Sequence, residues 1–286
     1  MSIEFKEVSY TYFKKTPFEK KVLHNINFKI NAGDFISIIG HTGSGKSTLI
    51  QLMNLLLNGF EGDIIIDSVD VKKNKVNKTD IRRKFGFAFQ YPEYQFFEDT
   101  IYKDIAFSLK IRGEDEELIE SKVRKAMDMV FLNFDKYRDK NPFNISGGEK
   151  RKVSLASILV LDPSYIILDE PTVGLDPKSC EEFELIIKNL NKQFNKTIIM
   201  VTHIMDLVFS ISNKAMILDK GRIVEFGDPY DIFTNLDLCN KYNIDKPYLI
   251  KLFLKLKENG FDIGECPRNI KDMENLICNY LSKRSK

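Results

Sequence analysis

Chemistry in this chain gathers first at Gly40-His41-Thr42-Gly43-Ser44-Gly45-Lys46-Ser47, which satisfies G-x-x-x-x-G-K-[ST] at every fixed position. Glycines let the backbone curl until consecutive N–H groups face one phosphate, and a helix starting there adds partial positive charge. Lys46 would reach the β- and γ-phosphates, and the Ser47 hydroxyl would ligate magnesium. The flanks agree. Phe35-Ile36-Ser37-Ile38-Ile39 has the apolar, β-branched look of a buried strand, and Thr48-Leu49-Ile50-Gln51-Leu52-Met53 has no breaker and suits a helix. With strand, loop and helix in that order, the stretch reads as a nucleotide-phosphate site.

Further polar groups fall at the ends of apolar runs. Tyr165-Ile166-Ile167-Leu168-Asp169-Glu170 is a strand ending in two carboxylates; the first suits magnesium and the second can polarise an attacking water. The strand 197–201 runs out at Thr202-His203, and the strand 85–89 at Gln90. In α/β sheets ligands bind beyond the carboxyl ends of the strands. On position alone Gln90 is equally a ligand or an ordinary loop residue, whereas the repeated strand-edge placement favours a functional role for His203. Ser146-Gly147-Gly148-Glu149 opens a helical pattern over 150–161. Bare N–H groups and the helix dipole there would suit an anion, although an ordinary N-cap has the same look.

The elements that must position these groups follow from the patterning. Strands over 2–8 and 22–30 flank a polar loop at 13–21, and Tyr10 and Tyr12, two apart, share a side. An aromatic there can stack on an adenine ring; for Tyr10, packing against the strand is the preferred reading. A strand at 63–66 precedes a basic run from Lys72 to Lys84, read as a solvated face. Residues 100–142 change to helical periodicity at 101–109 and 118–131, which predicts a helical lobe inserted into a sheet domain. A tight connection, Pro171-Thr172-Val173-Gly174-Leu175-Asp176-Pro177, leads into a helix over 178–193. Asp219-Lys220-Gly221 signals a hairpin between strands at 215–218 and 222–226. Amphipathic helices are expected at 247–257 and 273–281, beyond the phosphate chemistry.

Composition narrows the class. At 286 residues the chain can bury one large core or two modest ones, and its net charge of +2 demands no nucleic acid. The four cysteines make no C-x-x-C pair and no ligand spacing with the three histidines, as expected of reduced thiols in a cytosolic protein. No apolar stretch approaches the roughly 20 residues of a membrane span, so any membrane role requires a partner that spans.

Taken together, the motifs over residues 1–238 resemble the nucleotide-binding subunit of ABC (ATP-binding cassette) transporters. The resemblance implies an α/β fold: an ABC-type P-loop nucleotide-binding domain with a RecA-like core, an antiparallel β part and a helical lobe at about 91–160. It also implies ATP and Mg2+, and roles residue by residue. Tyr12 resembles the aromatic that stacks on adenine, and 40–48 the Walker A loop (Gly40, His41, Thr42, Gly43, Ser44, Gly45, Lys46, Ser47, Thr48). Gln90 resembles the Q-loop glutamine that senses magnesium and the transmembrane partner. Ser146, Gly147, Gly148 and Glu149 resemble the signature sequence and Gly174-Leu175-Asp176 the D-loop. Asp169 resembles the Walker B aspartate, Glu170 the general base and His203 the switch histidine. The signature departs from the usual Leu-Ser-Gly-Gly-Gln: Ile145 replaces leucine and Glu149 glutamine. A carboxylate beside nucleotide is costly unless it points to ribose hydroxyls or a cation, yet the Ser146 hydroxyl and glycine N–H groups remain.

Within that family, Thr16-Pro17-Phe18-Glu19, the run from Phe89 through Gln90 to Glu98, and Asp104-Ile105-Ala106-Phe107 resemble an ATPase of energy-coupling factor (ECF) transporters, prokaryotic importers of vitamins and transition-metal ions. The resemblance implies a second ABC ATPase (the same or different), a transmembrane coupling subunit docking near Tyr94–Phe97, and a membrane-embedded substrate-binding subunit. It implies a peripheral place on the cytoplasmic face of the cell membrane, with residues 239–286 as a helical, dimer-stabilising extension. Two rivals are weighed against it. A soluble ABC protein working on DNA or ribosomes would need a long coiled coil between the motifs or two cassettes in one chain; a catalytically dead module would not keep Lys46, Asp169, Glu170 and His203.

Overall fold

In a computed structural model, residues 1–73, 76–89, 91, 96–261 and 264–284 are described. The strands are β1 (Ser2–Tyr12), β2 (Lys20–Asn31), β3 (Phe35–Ile39), β4 (Glu61–Ile66), β5 (Val69–Asp70), β6 (Phe85–Ala88), β7 (Tyr165–Asp169), β8 (Thr197–Val201), β9 (Lys214–Asp219) and β10 (Arg222–Gly227). The helices are α1 (Lys46–Met53), α2 (Lys78–Arg82), α3 (Ile101–Ile111), α4 (Glu116–Met129), α5 (Phe134–Tyr137), α6 (Gly147–Leu159), α7 (Pro177–Lys192), α8 (Met205–Ile211), α9 (Pro229–Thr234), α10 (Leu236–Lys241), α11 (Tyr248–Glu258) and α12 (Ile270–Arg284).

Among the described residues two sheets form. One is four-stranded and antiparallel, in the order β2-β1-β4-β5; the other is six-stranded, in the order β10-β9-β3-β8-β7-β6. In the second, β6, β7, β8, β3 and β9 run parallel, with β10 antiparallel at the edge. All five residues of β3 are buried, as a parallel strand covered on both faces requires. The period of two then sorts side chains between layers. Ile36, Ile38, Tyr165, Ile167, Ile199 and Val201 join the antiparallel sheet in one core, while Phe35, Ile166, Leu168, Ile198 and Met200 join the helical lobe in another. The polar exception in β3, Ser37, bonds Ser212 Oγ at 2.5 Å. A third core unites Ile39, Ala215 and Ile217 with Cys239, Ile250, Phe253 and Met273, so the C-terminal helices close over the parallel sheet.

Periodicity located the elements, and the structure moves several ends. The loop read at 13–21 is shorter, because β2 already begins at Lys20, and the strand read at 2–8 is longer, because β1 continues to Tyr12 across register shifts near Val8 and Tyr10. The helix expected from Lys150 starts at Gly147, because Ser146 caps it. Glu170 lies outside β7: its φ of 47° turns it out of the strand. The hairpin is as read, with positive φ at both Lys220 and Gly221 as a type I′ turn demands. Tyr10 is buried in the strand layer, as preferred. All four cysteines are unpaired. No helix among the described residues is long and apolar enough to cross a membrane.

Candidate active site

The parallel sheet brings three strand ends side by side, because β3 pairs with β8 and β8 with β7. Their carboxyl ends carry the phosphate loop, His203 and the Asp169-Glu170 pair. The loop needs glycine at Gly40, where φ is 150° and an added Cβ would stand 2.1 Å from the Leu218 carbonyl oxygen. Gly45, at φ 107°, is the N-cap of α1 and abuts Leu23. No acidic residue occupies the first turn of α1, which leaves its positive end available to an anion. His41, Thr42 and Gly43 are exposed, whereas Ser44 and Gly45 are buried. The Ser44 hydroxyl is buried with no hydrogen-bond partner among the described residues, an orphan that a phosphate oxygen would satisfy.

Lys46 extends back over the loop, donating to the Gly40 carbonyl at 2.6 Å and the His41 carbonyl at 2.9 Å. Burial pulls its ammonium below the usual lysine value, opposed by the charges of Glu170 and Asp169. Burial likewise pushes the Asp169 carboxyl up, reinforced by Glu170 and opposed by Lys46. Lys46, Asp169 and Glu170 therefore form one electrostatic group. Glu170 is held by its N–H to the Val201 carbonyl at 2.9 Å, in a left-handed conformation that costs a non-glycine residue about 1–3 kcal/mol. Its Oε2 lies 2.9 Å from His203 Nδ1 yet has no hydrogen-bond partner among the described residues. His203 itself is largely exposed. A buried, under-bonded carboxylate oxygen beside an exposed imidazole is equipped to take a proton from water or to orient it.

Tyr12 lies across the start of α1, its hydroxyl 3.3 Å from Thr48 Oγ1 and its ring edge-on to Tyr10. Ser47, which is exposed, and Asp169 are the residues that could offer oxygen ligands to a metal. No cluster of three His, Cys, Asp or Glu able to hold a metal occurs among the described residues. A site of one carboxylate and one hydroxyl fits Mg2+, which keeps waters and takes its remaining ligands from substrate phosphates. Gln90 and Tyr94 lie outside the described residues.

Ser146 caps α6: its Oγ accepts from the Glu149 N–H at 3.3 Å, and Glu149 Oε2 accepts from the Ser146 N–H at 2.8 Å. The Glu149 carboxylate is thus engaged by its own capping box, and its Oε1 accepts from the Tyr137 hydroxyl at 2.5 Å. The cost expected for a carboxylate at this position is offset within the chain by these donors, to which the nearby Lys140 charge adds. A Cβ on Gly147 would meet open space, whereas one on Gly148 would stand 2.6 Å from Ser179 Oγ. Ser179 is in turn held by Asp176, the N-cap of α7. The segment 146–149 and the N-terminus of α7 therefore sit against each other.

A protein-family model described as "ABC transporter" matches residues 23–173. An "Energy-coupling factor transporter ATP-binding protein EcfA2" of Clostridium tetani is 46% identical over 93% of this chain and 92% of its own length. The chain belongs to the ABC transporter ATPases, in their energy-coupling factor group. The EcfA2 protein of Acetivibrio thermocellus is 41% identical, covering 99% of this chain and all of its own length. Among solved structures, cbiO1 from Clostridium perfringens, described as part of the ABC transporter complex cbiONQ, aligns with TM-score 0.76 at 29% identity over 89% of this chain and 98% of its own. The dimeric cassette MJ0796 bound to ADP and Pi aligns with TM-score 0.69 at 28% identity over 79% of this chain and 98% of its own.

Three features of this ATPase escaped the sequence reading. The buried Arg151 donates to the carbonyls of Phe89 at 3.1 Å and Val173 at 3.2 Å, joining α6 to the segment after β6 and to the connection between β7 and α7. Flanked by Lys150 and Lys152, it carries no local sign of burial. His41 Nε2 lies 3.0 Å from the Tyr242 carbonyl, which ties the phosphate loop to the C-terminal helices. Tyr137 carried no signal at all, being an ordinary core aromatic by pattern. One expectation is corrected: Phe96, read as part of a docking surface, is buried in the core of the helical lobe. Phe97 is exposed, and its N–H and that of Glu98 are both fixed by Asp104 Oδ1.

Proposed function

We propose that this ATPase is the motor of an ECF-type importer of vitamins or transition-metal ions, working as half of an ATPase pair. The observation that carries the proposal is the gathering of Lys46, Asp169, Glu170 and His203 at adjoining carboxyl ends of one parallel sheet. In the reading it supports, loop N–H groups and Lys46 hold the β- and γ-phosphates, and Tyr12 stacks on adenine. Ser47 and Asp169, with Gln90, hold Mg2+, which supplies charge neutralisation on the phosphates when bound. Glu170 orients the attacking water and accepts its proton, while His203 steadies charge on the γ-phosphate. One chain offers one phosphate loop and one signature, so each ATP is closed between the loop of one chain and Ser146–Glu149 of the other. Asp176 lies in that junction, and residues 239–286 stabilise the pair.

Closing and reopening of the pair would be passed through the Gln90–Glu98 region to a transmembrane coupling subunit, a membrane-embedded subunit would bind the solute, and the motor would sit on the cytoplasmic face of a prokaryotic membrane. Because Phe96 is a core residue, Phe97 is the informative probe. Phe97→Ala is expected to keep basal ATP turnover and abolish solute uptake in vesicles carrying the full complex. Uptake at the wild-type rate would place docking elsewhere. The group membership further suggests that the second ATPase is a different chain. Purified alone and then co-expressed with that ATPase, this chain should gain ATPase activity in the pair. A fully active homodimer, unaffected by the second chain, would exclude the mixed pair.

A further inference from the structure

The carboxylate of Glu149 has a built restraint that the capping box does not require. Its Oε2 already accepts from the Ser146 N–H, which completes the cap. Its Oε1 accepts a second, short bond from Tyr137, whose hydroxyl arrives from the end of α5. Tyr137 is buried, with the Lys140 ammonium 4.4 Å from its ring centre and that of Lys136 5.1 Å away. The hydroxyl therefore donates to a carboxylate, which makes the bond charge-assisted. A charged oxygen on the first turn of a helix that offers bare N–H groups to an anion has two ways to act. Folded back, it supports the cap; released, it stands as a negative charge beside those groups and competes with any phosphate brought to them.

We infer that Tyr137 is a positioning residue of the signature: it pins the Glu149 carboxylate back onto the Ser146 amide and keeps the N-terminus of α6 open to the γ-phosphate carried by the partner chain. The inference rests on the signature reading above. It explains how a glutamate is accommodated at this position, and it makes the tyrosine necessary only while residue 149 carries a charge.

The test measures kcat and KM for ATP on the assembled ATPase pair, with this chain carrying Tyr137→Phe, Glu149→Gln, both, or Ser146→Ala. Melting temperatures and oligomeric state are recorded for each. Tyr137→Phe is expected to lower kcat/KM of the pair on the order of ten-fold, the scale of a lost hydrogen bond to a charged group. ATP affinity of the isolated chain, which reports only its own phosphate loop, should not change. In the Glu149→Gln background the tyrosine change should have little effect, because the amide bears no charge to misplace. Equal losses in both backgrounds would make Tyr137 a merely structural support of the lobe and overturn the inference, as would no loss in either. If Ser146→Ala slows the pair while Tyr137→Phe does not, only the Tyr137 inference falls; if Ser146→Ala has no effect, the signature reading falls with it.

Discussion

Glu170→Gln is expected to lower steady-state ATP turnover by roughly 10²–10⁴-fold, the usual worth of a positioned general base, while MgATP still binds. The substitution is nearly isosteric, so the left-handed backbone at residue 170 and its N–H to the Val201 carbonyl have no reason to change. What is lost is the carboxylate oxygen that stands buried, without a hydrogen-bond partner among the described residues, 2.9 Å from His203 Nδ1. Asp169 keeps its place at the end of β7, so magnesium affinity should survive. The variant should accumulate as a closed, ATP-loaded pair, visible as a larger species in size-exclusion chromatography with MgATP. Turnover near the wild-type rate would remove Glu170 from the role of base.

Lys46→Ala should act on the other side of the reaction, weakening ATP binding by roughly 10- to 100-fold, which corresponds to about 1.5–3 kcal/mol for hydrogen bonds to a charged group. Its ammonium is half-buried and donates to the Gly40 and His41 carbonyls, so it is already at the loop mouth and needs only to exchange those acceptors for phosphate oxygens. Because the change also removes a strut from the loop, circular dichroism should accompany the calorimetric titration. Lys46→Arg should not restore affinity, since a planar guanidinium cannot follow the path of a point charge on a flexible stem. An unchanged dissociation constant for ATP in the Ala variant would count against the phosphate-loop assignment.

The parts of this site readable in advance are those written in local sequence. Strand, glycine loop and helix follow one another from Phe35 to Met53, and the carboxylates and histidine sit at the ends of apolar runs that burial forces into the sheet. The parts that were hidden depend on contacts between segments distant in sequence. Nothing local tells that Phe96 turns inward and Phe97 outward, because that choice is set by Asp104 holding both following amides. Nor does the chain announce that a tyrosine twelve residues before Glu149 reaches its carboxylate, or that the Tyr242 carbonyl meets His41 across 201 positions. The N-cap reading at Ser146 holds, and α6 starts at Gly147, three residues before the helical pattern read from Lys150, because the Ser146–Glu149 capping box offsets the poor helix propensity of Gly147 and Gly148.

The most direct test of the account is the ATPase rate per chain in a state of assembly verified by sedimentation. The paired form should hydrolyse ATP, and the same chain held as a monomer by dilution should bind ATP but scarcely turn it over, because Ser146–Glu149 of a second chain is missing from its nucleotide. A verified monomer hydrolysing ATP at the rate of the pair would contradict the composite site.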